Sequence, residues 1–105
     1  MSTIGSPSQS KNSLTVGSSM TGRWVQDPSG KSNTSYVSYF SSNGPAADGR
    51  IKPEVVAPGN VAVSASSIGY NSNSYSCAVN AQSGTSMATP ATAGAAALVS
   101  KKRGK

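Results

Sequence analysis

One stretch of this sequence carries residue types at a spacing that could do covalent chemistry. It is Ser83-Gly84-Thr85-Ser86-Met87-Ala88-Thr89-Pro90, running into Ala91-Thr92-Ala93-Gly94-Ala95-Ala96-Ala97-Leu98-Val99. A glycine and hydroxyl residues ahead of an alanine-rich segment predict a turn that delivers Ser86 to the start of a helix, with Thr85 or Ser83 as its N-cap. That location suits a nucleophile. The first N–H groups of a helix have no partner inside it and carry the positive end of its dipole. The N–H of Ser86 is therefore placed to stabilise an oxyanion formed by attack of its own Oγ. Pro90 cannot donate to the carbonyl of Ser86 four residues back, which predicts a loosened first turn. The plainer reading of the same residues is a core helix with a serine near its cap. A serine hydroxyl is also a poor nucleophile near neutral pH without a base and a carboxylate to orient that base. The chain holds no histidine, and Asp27, Asp48 and Glu54 are its three carboxylates.

The elements that must position Ser86 are short. Residues 2–13 are rich in Ser, Thr, Pro, Gln, Lys and Asn and predict a surface loop, after which Leu14-Thr15-Val16 predicts a strand closed by Gly17. A polar stretch from Ser18 to Ser35 predicts a long loop with its turn at Asp27-Pro28-Ser29-Gly30, in which Trp24 reads as a pin to the core or, less favoured, a substrate contact. Asn33-Thr34-Ser35 matches the glycosylation acceptor pattern, which counts only in a chain secreted by a eukaryote. Tyr36-Val37-Ser38-Tyr39-Phe40 has the composition of a strand. Glu54-Val55-Val56-Ala57, ended by Pro58-Gly59, is the kind of continuous run that suits a parallel strand buried on both faces. Val61 to Ala65 and Tyr75 to Ala81 predict a hairpin whose end leads to Gly84. The helix from Ser86 onward is apolar on every side, so it calls for burial by neighbours all round.

Composition narrows the function classes. Leu, Ile, Val and Phe make up 15 of the 105 residues, below the roughly 20% that accompanies a well-built core. Ser, Gly and Ala fill the space instead, which suits a tightly packed interior of small side chains better than an autonomous small domain. The net charge is +6, but Lys101, Lys102, Arg103 and Lys105 supply four of the nine basic residues. The first hundred residues are close to balanced, and a basic end without interleaved aromatics reads as a solvated tail rather than a nucleic-acid surface. Cys77 is alone, so no internal disulfide or metal cluster forms around it, and its readings are a buried small residue or a bridge to another segment. No apolar run is long enough to predict a membrane span, and no signal peptide follows Met1.

Gly84-Thr85-Ser86-Met87-Ala88-Thr89-Pro90 resembles the nucleophile motif of the subtilisin-like serine proteases. Phe40-Ser41-Ser42-Asn43-Gly44-Pro45, continuing from Asp48 to Gly59, resembles the family's segment ahead of the nucleophile. Pro7 to Gly17 resembles the strand just after the family's oxyanion-hole asparagine. The three blocks stand in family order. The resemblance implies an α/β fold: part of a subtilisin-like parallel sheet, with a β-hairpin leading into a buried C-terminal helix. It implies that residues 1–100 are the C-terminal portion of a peptidase domain and 101–105 a basic tail. It implies that Ser86 forms the acyl-enzyme, that Thr85 and Gly84 support the oxyanion site, and that Met87 lines the leaving-group side. Protein or peptide substrates and a secreted location follow from the same resemblance, with no cofactor, nucleic-acid or membrane partner. The family's Asp, His and oxyanion Asn precede the serine and match nothing here, so the expected partner is an N-terminal half of the catalytic domain, without which the chain is inactive. Asn43 stands where many members have Arg, and Ala91 where His is common. The alternatives are a non-catalytic truncated remnant or engineered fragment with a binding or assembly role and, more weakly, a basic-tailed binding module.

Overall fold

A computed structural model of the chain describes residues 1–21, 35–66 and 78–104. Strand β1, Val16–Ser19, pairs in parallel with β2, Val55–Pro58, in the register Val16↔Val55 through Ser19↔Pro58. Strands β3, Ala62–Ser66, and β4, Ala78–Gln82, form an antiparallel hairpin in which Ala62 faces Gln82 and Ser66 faces Ala78. The hairpin feeds helix α1, Thr85–Lys102, which packs on β1 and β2. This is the expected α/β fragment: a small parallel sheet, a hairpin, and a C-terminal helix. β1 starts at the last residue of the expected Leu14-Thr15-Val16 strand and runs through Gly17, expected to close it, to Ser19, and β2 starts one residue later than expected, leaving Leu14 exposed and Glu54 outside β2. The predicted turn at Asp27–Gly30, Trp24, Asn33 and Cys77 lie outside the described residues.

Three expectations need correction. Tyr36–Phe40 is not a strand among the described residues; it contributes one antiparallel bridge, Val37 to Ser19, and then turns, with the Ser41 N–H donating to the Ser38 carbonyl at 2.9 Å. Its aromatic and β-branched composition misleads because Tyr39 is 90% exposed, while the residue drawn into the interior is Ser38. Secondly, the apolar run of β2 is not buried on both faces, since Val55 and Val56 are both exposed in this chain. Thirdly, the burial expected of α1 is met here at Ala88 alone. α1 runs through Lys102, with Lys101 and Lys102 in its last turn, where the negative end of the dipole favours them.

The interior is made of small and polar side chains. Among the described residues Ile4, Met20, Ala46 and Ala88 are the buried apolar ones, and Thr15, Ser18, Ser19, Ser38, Ser41 and Lys52 are buried as well. Buried hydroxyls are tolerated when they are hydrogen-bonded, and those of Thr15, Ser18, Ser38 and Ser41 are. The Ser18 N–H donates to Ser41 Oγ at 3.0 Å, Ser18 Oγ and Ser38 Oγ lie 2.9 Å apart, and the Ser38 N–H donates to the Ser18 carbonyl at 2.8 Å. β1 is thus fastened on one side by the ladder to β2 and on the other by two serine hydroxyls.

Candidate active site

The start of α1 is placed by two glycines. The Gly84 N–H donates to the Gly59 carbonyl at 2.7 Å, tying the chain just before the helix to the end of β2. Gly59 is where three elements meet. A Cβ there would lie 2.5 Å from Ser18 Oγ of β1, 2.6 Å from the Gly84 carbonyl oxygen and 3.1 Å from Ala88 Cβ of α1. Gly84 is the N-cap, with φ 152°, a region that favours glycine, and its carbonyl accepts the Met87 N–H at 3.0 Å. The predicted side-chain cap is absent. Thr85 is the first helical residue, and Ser83 is committed elsewhere: its Oγ accepts the Val61 N–H at 2.8 Å and donates to Asn60 Oδ1 at 3.1 Å.

That commitment supports a strained turn. Val61 has φ 54°, which is costly for a β-branched residue. The turn is held from several sides: the N–H groups of Gly59 and Asn60 donate to the Ser19 carbonyl, Thr21 Oγ1 donates to the Asn60 carbonyl at 2.5 Å, and Asn60 Nδ2 donates to Met20 Sδ at 3.1 Å. Ser83, expected as a cap, instead braces the turn at Asn60, and the sequence alone does not single out Asn60 and Gly59 as supports of the helix start. The signal for Gly59 was its place after Pro58, at the end of an apolar run. Nothing in the sequence marks the pairing of Ser83 with Asn60.

Ser86 is exposed, as the second residue of α1, where no carbonyl four residues back belongs to the helix. Its two neighbours open onto different spaces. Thr85 lines a small cleft with Ile4, Val16, Ser42 and Pro53, and with Thr89 it lines another of about 250 Å³ against the loop before β1. Met87 lines an open cleft of about 520 Å³ together with hairpin residues, among them Ser64, Asn80 and Gln82. Thr89 Oγ1 donates to the Thr85 carbonyl at 2.9 Å, and Pro90 follows directly within the helix.

Both described side-chain carboxylates are engaged by partners other than Ser86. Asp48 makes an ion pair with Arg50 Nε at 2.7 Å, and that hydrogen bond holds its carboxyl below the usual carboxylate range. Glu54 pairs with Lys52 and accepts the Thr15 N–H at 2.8 Å, and these bonds, Lys52 first, likewise lower its pKa. Among the described residues no three His, Cys, Asp or Glu side chains gather as a metal site, and no helix is long and apolar enough to cross a membrane.

A glycine-anchored turn sets a serine at the start of a helix, beside a parallel pair and a hairpin, in an α/β fragment. The sequence profile of the subtilase family matches residues 1–105, and the chain belongs to that family of serine peptidases. It is 39% identical over 107 residues to the serine protease AprX of Bacillus subtilis, covering 92% of this chain and 22% of AprX. An uncharacterized protein of Aquifex aeolicus, aq_aa18, is 39% identical over 101 residues, covering 91% of this chain and 45% of that protein. The serine protease/ABC transporter B family protein tagD of Dictyostelium discoideum is 44% identical over 66 residues, covering 55% of this chain and 4% of tagD. The chain thus spans less than half the length of each of these relatives. No solved structure matches it.

Proposed function

We propose that Ser86 is the nucleophile of a subtilisin-like serine endopeptidase and that residues 1–100 supply the C-terminal portion of its catalytic domain. The observation that carries this reading is the Gly59–Gly84 anchor, which fixes an exposed serine at a helix N-terminus within a subtilase sequence. In this reading Oγ of Ser86 attacks the scissile carbonyl and its proton passes to a histidine base outside these 105 residues. The negative charge on the former carbonyl oxygen is then met by the Ser86 N–H and a second donor, also outside this sequence. Gly84 and Thr85 support the oxyanion side, and Met87 faces the leaving group across the hairpin cleft. The substrate is a protein or peptide and the location is extracellular, both carried over from the family resemblance.

The 105-residue chain alone is inactive in this reading, because losing even one triad member costs several powers of ten in rate. The test is complementation. Mixed with an N-terminal segment bearing the family's Asp, His and Asn blocks, the chain becomes labelled at Ser86 by a serine-directed phosphonylating reagent, whereas alone it does not. Ser86→Ala abolishes labelling without preventing association. Equal labelling or peptide hydrolysis by the Ser86→Ala mixture would sink the assignment. The competing reading, a non-catalytic remnant, predicts no labelling in any mixture.

A further inference from the structure

The segment leading into β2 reaches across to the loop before β1 with two cationic side chains. Arg50 donates through Nη2 to the Gln9 carbonyl at 2.6 Å, and Lys52 donates through Nζ to the Ser13 carbonyl at 2.8 Å. Lys52 is buried and pairs with Glu54 Oε1. The other carboxylate oxygen of Glu54 accepts the Thr15 N–H, and the Glu54 N–H donates to the Thr15 carbonyl at 3.1 Å. Thr15 passes the link on, because its Oγ1 donates to the Ser8 carbonyl at 2.7 Å. Ser10 closes the loop on itself, with its N–H on the Pro7 carbonyl at 3.0 Å and its Oγ on Ser13 Oγ at 2.6 Å.

Ser8, Ser10, Ser13 and Thr15 form one wall of the cleft of about 250 Å³ that Thr85 and Thr89 line from the helix. The loop carries no strand or helix of its own, so these bonds are what shape it. A buried ammonium is tolerated only while its partners stay in place, which makes Lys52 a fixed point for the loop rather than a swinging surface charge.

We propose that Lys52 and Glu54 are positioning residues: together they set the loop wall facing Thr85 and Thr89, and thereby the shape of the cleft beside the turn that carries Ser86. Its functional meaning rests on the reading of Ser86 as nucleophile, but its geometry does not involve Ser86. Lys52→Met keeps the stem of the side chain and removes the charge. The Ser13 carbonyl then loses its donor and Glu54 its counter-ion, while Arg50 still holds Gln9. The loop shifts without being released, and the cleft changes.

The experiment is to record backbone amide chemical shifts of the 105-residue chain and its variants. Lys52→Met is expected to move the signals of Ser8, Ser13 and Thr15 and, across the cleft, those of Thr85 and Thr89, leaving the β3–β4 hairpin unmoved. Lys52→Arg, which keeps a donor and a positive charge, is expected to return Thr85 and Thr89 most of the way to their original positions. Thr85 and Thr89 standing still while Ser13 moves overturns the proposal, and so does failure of all five to move. A merely destabilising change would shift the hairpin signals together with the cleft ones. If Lys52→Met abolishes the dispersed spectrum, Glu54→Gln decides: it removes the ion pair at constant size, and unmoved Thr85 and Thr89 there overturn the proposal as well. No variant touches Ser86, so a failed complementation would leave this outcome standing, and the reverse.

Discussion

Around Ser18 the side chains are short, hydroxylated and buried, whereas along α1 from Ala91 to Val99 they are mostly apolar and mostly exposed. The first region gains its order from directional bonds: hydroxyl to hydroxyl, amide to hydroxyl, and backbone against backbone at Gly59. Each such bond contributes only about 1 kcal/mol net, but leaving a buried partner unpaired costs about 1–3 kcal/mol. The second region has apolar surface, which stabilises at about 25 cal/mol per Å² only where something covers it. Within this chain α1 covers itself at Ala88, the residue that meets Gly59. Precision and stability are therefore separated in space. The turn holding Ser86 takes its geometry from the polar region, while the helix behind it keeps most of its apolar surface unused.

The sharpest way to break that comparison is at the one point where the two regions touch. Gly59→Ala puts a Cβ 2.6 Å from the Gly84 carbonyl and 2.5 Å from Ser18 Oγ, distances that force the N-cap or β1 to move. The expected loss is about 3 kcal/mol, the upper part of the usual range for overpacking, read as a lowered urea midpoint. A midpoint unchanged from the parent would mean that the helix start is not held against Gly59. Next comes Ser18→Ala, which leaves the buried Ser38 hydroxyl without its partner. It is expected to cost about 2 kcal/mol, and removing both hydroxyls should cost less than the sum of the two single changes.

The uneven legibility of the sequence follows the same division. The turn before Ser86, the short apolar segments at Val16 and Val55 and the hairpin before the helix are carried by local signals: a glycine before small residues, short apolar runs, and turn residues between them; that the Val16 and Val55 segments pair with each other is not. Their positions came through with small shifts. Ser83 was misjudged because a serine near a helix start is read as a cap, whereas here its hydroxyl is drawn to Asn60 and Val61, more than twenty residues away. Tyr36–Phe40 was misread because strand composition does not reveal which residue is pulled inward, and Ser38 is pulled by Ser18. The Lys52–Glu54 pair left no trace beyond a charge alternation, since its partner carbonyl, Ser13, lies 39 residues back. Apolar periodicity reports burial against a generic interior. It does not report a core built of hydroxyls and carbonyls, nor whether the cover for a helix belongs to the same chain.

A smaller effect is expected from acid, and it separates the ion pairs from the hydroxyl network. Glu54 has its pKa lowered from an ordinary 4.5 by Lys52 and the Thr15 N–H, and Asp48 from 3.8 by Arg50. A carboxylate with a depressed folded-state pKa contributes stability that is fully present above its unfolded value and is lost as pH falls through the folded one. The thermal midpoint should therefore be flat above about pH 5.5 and decline below about pH 4.5. Glu54→Gln should reduce that decline, while Ser18→Ala should shift the whole curve down without changing its shape. An identical acid limb in Glu54→Gln would show that Glu54 has the same pKa folded and unfolded.

The smallest effect on stability is expected where the apolar side chain is largest. Leu98 is 71% exposed near the end of α1, so Leu98→Lys removes little buried area in this chain and should change the unfolding free energy by no more than about 0.5 kcal/mol. Its consequence should appear in association instead. The apolar run from Ala93 to Val99 remains open to solvent apart from its own neighbours, and a charge in it opposes contact between two such helices by the desolvation it would require. Analytical ultracentrifugation of the parent and Leu98→Lys at matched concentration, with urea unfolding on the same samples, reads both quantities at once. Reduced self-association with an unchanged midpoint supports a helix whose apolar surface is unused within the chain. An unfolding free energy that falls by more than about 2 kcal/mol, the cost of losing a well-buried leucine contact, would mean that Leu98 is covered in solution, and the contrast between the two regions would fail at that end.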